Sequence, residues 1–298
     1  MIPNTSGHSE QRSSAVIIQG PAGPLCVGND QPITFFLGMN VLESAAVIEE
    51  CCAVISRIDH VLRSRSGRSR VVFKASFDKA NRSSIHSARG PGFEEGISIL
   101  KEIRSRWNLP ILTDIHEPSQ AKRVAEVADL IQIPAFLCRQ TDLLQAACET
   151  GTPLHIKKMQ MMAPEEMGAV LKKCAHFGQD QVILCERGTQ FGYGQLIVDP
   201  LSFPLLKTFG APVSFDVTHA LQQPGKGSLT KVCAGGRGEW TLPLATAGVS
   251  QGIAALFIEC HPDPPNALCD GACATPLSEL ECLVQKMLLL DQWIKSME

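Results

Sequence analysis

Short apolar runs rich in β-branched and aromatic residues recur along the chain. Each is followed by a stretch whose apolar positions return at helical spacing. Ile33–Leu37, Val71–Ala75, Pro110–Asp114, Leu130–Ile133, Leu154–Lys158, Val182–Cys185, Val213–Asp216 and Ala254–Glu259 read as strands. Helices are predicted after the first strand and then over roughly 93–107, 118–128, 139–150, 164–177, 200–209, 238–251 and 275–296. The first helix is expected to begin at Asn40 as its N-cap, with Glu43 at the third helical position and Leu42, Ala45, Ala46, Cys52 and Ile55 on its apolar face. Ala15–Gln19 and Pro24–Val27 are expected to form a short hairpin turning at Gly20-Pro-Ala-Gly. Eight strand–helix units in strict alternation predict an α/β fold, a single (β/α)8 TIM barrel over residues 15–298 that includes the N-terminal β-hairpin. A doubly wound open sheet is the alternative, but the G-x-G-x-x-G fingerprint of a dinucleotide site is missing. Residues 1–14 are polar and are expected to be a disordered tail.

Composition narrows the possibilities. A chain of 298 residues, 44% hydrophobic and 19% charged, is long enough to bury a full core. The formal net charge of −3 gives no bulk attraction to nucleic acid. No apolar run reaches the ~18 residues of a membrane span. No basic start followed by an apolar segment marks a signal peptide, and the cysteine usage described next is that expected of a cytoplasmic protein. The twelve cysteines include no C-x-x-C pair and fall mostly in apolar contexts, such as Cys51, Cys52, Cys148 and Cys185; they read as reduced, buried thiols. Cys260, His261, Cys269 and Cys273 match no common zinc spacing.

Polar residues gather where the strands end: Asn40, Lys74 to Ser76, Asp114 to Glu117, Gln132, Lys157 and Lys158, Glu186 and Arg187, Asp216 to His219, and Glu259 to Asp263. Barrel enzymes build their sites at that rim, whereas purely structural polar residues would scatter over both ends. Period two places Val72, Lys74 and Ser76 on one face of their strand, and Lys79, Asn81, Arg82, Ser83 and Ser84 follow in the loop. Cations and small donors at one strand end suit phosphate or carboxylate. With Lys157, Arg187 and Arg139 added, the positive charge exceeds the need of one phosphate and suits two phosphorylated ligands. Asp114, Asp216, His219, Glu259 and Asp270 form a second set, able either to bind a divalent metal or to position water and protons. A lone strand-end histidine is often structural; His219 follows Asp216 on the same strand end, which favours chemistry. The glycine-rich stretch from Gln222 to Gly238 reads either as a lid or as an ordinary surface loop.

Several strings are specific: Phe73-Lys-Ala-Ser-Phe-Asp-Lys-Ala-Asn-Arg-Ser-Ser84, Thr113-Asp-Ile-His-Glu117, Ile131-Gln-Ile-Pro-Ala-Phe-Leu-Cys-Arg-Gln-Thr-Asp-Leu143, Cys185-Glu-Arg-Gly188 and Phe215-Asp-Val-Thr-His-Ala-Leu-Gln-Gln-Pro-Gly225. In this order they resemble the 3-deoxy-D-manno-octulosonate 8-phosphate synthases, also called 2-dehydro-3-deoxyphosphooctonate aldolases, from about residue 15 to the C-terminus. The resemblance implies a homotetrameric cytoplasmic transferase on a (β/α)8 barrel. It condenses phosphoenolpyruvate with D-arabinose 5-phosphate and water and releases phosphate, in lipopolysaccharide biosynthesis in Gram-negative bacteria and pectin synthesis in plants. The sibling 3-deoxy-arabino-heptulosonate phosphate synthases, which use erythrose 4-phosphate, carry Lys-Pro-Arg-Thr-Ser where this chain has Lys79-Ala-Asn-Arg-Ser83. A non-catalytic sugar-phosphate-binding barrel is a further alternative, for which the second set of residues would be superfluous.

By the same resemblance, Lys74, Ser76, Lys79, Lys157 and Arg187 hold phosphoenolpyruvate, and Gln132, Pro134 and Ala135 line its site. Asn81, Arg82 and Ser83 match the sugar phosphate site, with Arg139 reaching in from a neighbouring subunit and Phe136 at that contact. His219, Asp114, Asp270, Lys79 and Asn40 match the catalytic positions. Metal-dependent members carry Cys where this chain has Asn40, beside residues matching His219, Glu259 and Asp270. With an amide there, which is a poor ligand for a transition metal, no metal and no cofactor are expected. Two details depart from the family pattern: Met161 stands where Phe is usual, and Gly238 follows Arg237 where another residue is usual.

Overall fold

The computed structural model describes residues 15–224 and 235–297. Its strands are Val16–Gly20 (β1), Gly23–Val27 (β2), Thr34–Val41 (β3), Val71–Ser76 (β4), Ile111–Asp114 (β5), Leu130–Ile133 (β6), Leu154–Lys157 (β7), Val182–Glu186 (β8), Thr189–Phe191 (β9), Gln195–Ile197 (β10), Val213–Asp216 (β11), Gln222–Gln223 (β12), Gly235–Gly236 (β13), Ala255–His261 (β14) and Thr275–Pro276 (β15). Parallel pairing runs β3-β4-β5-β6-β7-β8-β11, and β14 pairs with both β11 and β3, closing an eight-stranded barrel. The helices are Ala45–Ser66 (α1), Phe93–Trp107 (α2), Ala121–Ala125 (α3), Thr141–Cys148 (α4), Met167–His176 (α5), Ser202–Lys207 (α6), Val217–Ala220 (α7), Thr241–Val249 (α8) and Leu277–Lys295 (α9). The (β/α)8 barrel expected from the periodicity is present.

Helices cover the outside of the strands, so both strand faces are buried and the strands read as near-continuous apolar runs. Inside the barrel, Phe36, Val72, Leu112, Leu130, Ile183 and Phe257 form one cluster with Val16, Ile18, Leu25 and Val27 of the β1–β2 hairpin. The hairpin plugs the N-terminal end of the barrel with apolar side chains. Polar chemistry is thereby confined to the opposite mouth.

One irregularity in β3 shapes that mouth. The register with β4 is Gly38↔Lys74 and then Val41↔Ser76, so β3 holds one extra residue between these pairs. Gly38 is pressed onto β4; an added Cβ would lie 1.8 Å from the Lys74 carbonyl oxygen. The strand therefore runs on through Asn40, and α1 begins later than expected. Its N-cap is Ser44, whose Oγ accepts from Val47 N at 3.4 Å. The expectation that Asn40 and Glu43 cap this helix is corrected.

The remaining departures are local. The segment 118–128 is a single 3-10 turn, Pro118–Gln120, followed by the five-residue α3. The β9–β10 hairpin and the one-turn α7 were not anticipated. The polar tail 1–14 and the loop segment 225–234 read above as lid or surface loop lie outside the described residues.

Candidate active site

The barrel strands carry their polar side chains to the mouth as period two requires. Lys74 and Ser76 both point inward from β4. Lys74 Nζ donates to Glu259 Oε1 (2.8 Å) on β14 and to the Asn40 carbonyl (3.1 Å). Ser76 Oγ donates to Asp114 Oδ1 on β5, and Asp114 Oδ2 lies 3.1 Å from His116 Nε2. Across the barrel, Lys157 Nζ on β7 donates to Asp216 Oδ2 on β11 at 2.5 Å. Both lysines stand over the Phe257 ring, with Nζ at 4.0 Å from its centroid for Lys157 and 5.5 Å for Lys74. An aromatic face beneath ammonium groups stabilises charge without supplying a competing anion.

Charge and burial act against each other here. Burial presses Lys74 down to about 8, against the pull of Glu259. Burial would raise Glu259, but His219, Lys74, Lys79 and Lys157 outweigh it and hold the carboxyl near about 2. Asp114 and Asp216 likewise sit well below the ordinary carboxylate range despite burial, the first through His116 and Lys79, the second through His219 and Lys157. Lys79 is half-buried; burial acts to lower it, yet Asp114, Glu259 and Asp270 hold it above the ordinary lysine value. These groups are thus held as ions in one connected field.

Arg187, following β8, is 4% exposed. Its Nη2 donates to Gln222 Oε1 at 3.0 Å, while its Nη1 is buried with no acceptor among the described residues. Burial lowers its pKa, but a guanidinium stays charged. A buried charged donor without a partner is costly, and a bound anion relieves the cost.

His219 is held by α7. Asp216 is the N-cap of that turn: its Oδ1 accepts from the His219 backbone N–H (2.9 Å), and its Oδ2 lies 2.7 Å from His219 Nδ1. This pairing assigns the Nδ1 proton to the Asp216 side and turns Nε2 to the mouth. Nε2 faces Asn40 Nδ2 at 3.5 Å, Glu259 Oε2 at 3.6 Å and Asp270 Oδ2 at 3.9 Å. Asn40 Nδ2 donates to Glu259 Oε2 (2.6 Å) and Asp270 Oδ2 (2.9 Å). The orientation follows from the two carboxylates, which the amide oxygen would repel. An N–H donor therefore stands between the three groups that would otherwise face a cation, and the residues as arranged do not fit a metal ion. Three of the four residues tested above for zinc spacing have separate partners: Cys260 Sγ donates to Gly38 O, His261 faces Glu43, and Cys269 Sγ lies 3.5 Å from Asp270 Oδ2.

Lys74, Ser76, Lys79, Asp114, Lys157, Arg187, His219, Glu259, Asp270 and Asn40 are therefore brought to one mouth. Gln132 is buried on β6, with Oε1 3.1 Å from His155 Nδ1; Pro134 and Ala135 follow that strand. Asn81 and Ser83 are exposed on the loop after β4, and Arg82 is half-buried there. Arg139 is not at the mouth of its own chain. It is largely exposed and faces Glu166 at 3.8 Å, and Phe136 beside it is 54% exposed.

Three contributors escaped the sequence reading. Asp216 was placed in the second set but not recognised as the orienter of His219; the Asp-x-x-His spacing at a strand end was the available signal. Phe257, inside the apolar run Ala254–Glu259, carries no polar signal. His155 is wholly buried, its ring parallel to Phe257 at 6.1 Å, and burial with nearby Lys157 pushes it down to about 3, so this layer beneath the mouth is neutral.

A family model described as the DAHP synthetase I family matches residues 11–294. The chain is 52% identical over 274 residues to the 2-dehydro-3-deoxyphosphooctonate aldolase of Pseudomonas savastanoi pv. phaseolicola, covering 92% of this chain and 95% of that one. The protein of the same name from Hahella chejuensis is 52% identical over 273 residues, covering 92% and 94%. That of Pseudomonas aeruginosa is 52% identical over 274 residues, covering 92% and 95%.

Proposed function

The chain belongs to the DAHP synthetase I family, and from that premise we propose that it condenses phosphoenolpyruvate with D-arabinose 5-phosphate and water. The products are 3-deoxy-D-manno-octulosonate 8-phosphate and inorganic phosphate, feeding lipopolysaccharide synthesis. The names of its relatives favour this reading over the seven-carbon sibling, as does Lys79-Ala-Asn-Arg-Ser83. The observation that carries it is the gathering of Arg187, Lys74, Lys79 and Lys157 at one mouth, with the buried Nη1 of Arg187 unpartnered among the described residues.

In this reading Arg187, Lys157, Lys74 and Lys79 neutralise the carboxylate and phosphate of phosphoenolpyruvate, with Ser76 as a further donor and Gln132, Pro134 and Ala135 along the wall. Asn81, Arg82 and Ser83 hold the sugar phosphate. Arg139 and Phe136 complete that site from the next chain of a homotetramer; their exposure within one chain supports this. Side-by-side binding places C3 of the enol over the aldehyde carbon. As the C3–C1 bond forms, positive charge develops at C2 and water adds there. The hemiketal phosphate then breaks its C–O bond and phosphate leaves. His219 Nε2, steadied by Asp216, orients that water and takes its proton; Asp270, Glu259 and Asp114 hold the surrounding charge. Asn40 keeps Asp270 and Glu259 in place by its amide hydrogens, without a metal. The reaction takes place in the cytoplasm; among the described residues no helix is long and apolar enough to cross a membrane.

Single-turnover release of phosphate from phosphoenolpyruvate tests the reading. Release is expected with D-arabinose 5-phosphate and not with erythrose 4-phosphate. The reverse preference would assign the sibling reaction, and release with neither would leave a binding protein.

A further inference from the structure

Glu43 has no part in the reaction above and does not cap α1, yet its side chain is only 9% exposed. It lies three residues after Asn40, on the connection from β3 to α1. Its Oε1 accepts from the Leu268 backbone N–H at 3.1 Å, and its Oε2 lies 3.4 Å from His261 Nε2. The ring proton belongs on Nε2, because His261 Nδ1 accepts from Asp263 N at 3.0 Å. One carboxylate thus bonds the loop that follows β14 and faces the histidine at the end of that strand.

That loop carries Asp270, which has a left-handed backbone (φ 49°), a conformation a non-glycine residue holds only when its surroundings insist. Most of the loop's bonds are to itself. Asp263 Oδ2 accepts from Asn266 Nδ2 (2.7 Å), and Asp270 O accepts from Cys273 N (2.8 Å). Gly271 is folded so tightly onto Pro264 that an added Cβ would lie 2.0 Å from its carbonyl oxygen. Gly238 N donating to Ala272 O (3.0 Å) fastens the far side. The near side, next to Asp270 and facing Asn40, is fastened by Glu43.

We propose that Glu43 is a positioning residue that straps the Asp270 loop to the strand end bearing Asn40, setting the Asn40–Asp270 contact at 2.9 Å. Its use in catalysis rests on the functional reading above. What matters is the reach of the acceptor more than its charge, since the firmer of its two contacts is a bond to a neutral backbone N–H.

Three variants separate reach from charge. E43Q keeps an acceptor oxygen for the Leu268 N–H and gives up only the longer contact to His261, E43D keeps the charge but withdraws it by one methylene, and E43A removes both. E43Q is expected to stay within about threefold of wild type in kcat, while E43D and E43A fall about ten- to a hundredfold with the KM for phosphoenolpyruvate little changed. Residue-resolved hydrogen exchange on the unliganded protein is expected to show the Leu268 amide exchanging faster in E43D and E43A and as in wild type in E43Q. Equal loss in E43Q and E43D, or unchanged exchange at Leu268 in E43D, would overturn the proposal. Should E43A fail to fold, the order of E43Q and E43D still decides. A wild-type protein inactive with both aldose phosphates would defeat the functional reading alone; the exchange measurement would still judge the strap.

Discussion

The strand-borne and loop-borne parts of the mouth are built differently. Lys74, Lys157 and Arg187 sit on or directly after barrel strands, are 1%, 5% and 4% exposed, and are fixed by bonds to Glu259, Asp216 and Gln222. Asn81, Arg82 and Ser83 sit on the long connection from β4 to α2, where two are exposed and one is half-buried. The first half is preorganised; the second is not fixed by comparable bonds among the described residues. Groups on rigid elements hold their geometry more closely than groups on loops. The asymmetry suits a reaction in which phosphoenolpyruvate must be gripped and dried while the sugar is brought to it.

The sharpest test is His219→Ala, in the rigid half. Turnover is expected to fall about 10²–10⁴-fold with phosphoenolpyruvate affinity nearly intact. Steady-state kcat beside a direct binding titration checks it, and equal turnover would remove the role of His219.

Arg187→Ala set against Arg82→Ala probes the comparison itself. Each loses charge-assisted bonds of roughly 1.5–3 kcal/mol, so each affinity should drop about ten- to a hundredfold. The loss should fall on phosphoenolpyruvate for Arg187 and on the sugar phosphate for Arg82. Losses shared evenly between the ligands would dissolve the distinction.

A pH profile reaches the rigid half alone. With Lys74 lowered to about 8, its ammonium is complete below that pH and is lost as pH rises through it. The kcat/KM for phosphoenolpyruvate should therefore decline above about pH 8, and the decline should move to higher pH in kcat, because the bound anion favours the proton. Glu259 works in the opposite range. Held near about 2, it contributes stability that is complete above its ordinary carboxyl value and is lost as pH falls through 2.

The mildest change is Asn40→Cys. It replaces the donor between His219, Glu259 and Asp270 with a thiol, and the variant should retain a divalent transition metal through dialysis where the wild type does not. Metal content per chain is the measurement. Wild-type activity abolished by a chelator and restored by zinc, manganese or iron would reverse the assignment of Asn40.

Much of this was legible before any coordinates. Apolar runs alternating with helical periods specify the barrel, because a strand buried on both faces must be apolar throughout. Lys74 and Ser76 follow from period two, and the clustering of polar residues at strand ends marks the mouth. Asn40 resembles a cap in the sequence because the extra residue in β3 exists only relative to β4, and single-chain spacing is blind to register. Its partners Glu259 and Asp270 lie 219 and 230 residues away, so no local pattern links them. Glu43 resembles part of a helix start for the same reason: its partner, Leu268, is 225 residues distant.

The crowding of Gly38 against the Lys74 carbonyl leaves the wall between β3 and β4 no slack. Two strands welded so closely act as a single plate, and a side chain of any size at position 38 would prise it open. One inserted methyl group would carry the amide of Asn40 and the ammonium of Lys74 off together, though neither residue had been altered. A substitution in the connections above that seam leaves the vessel uncracked.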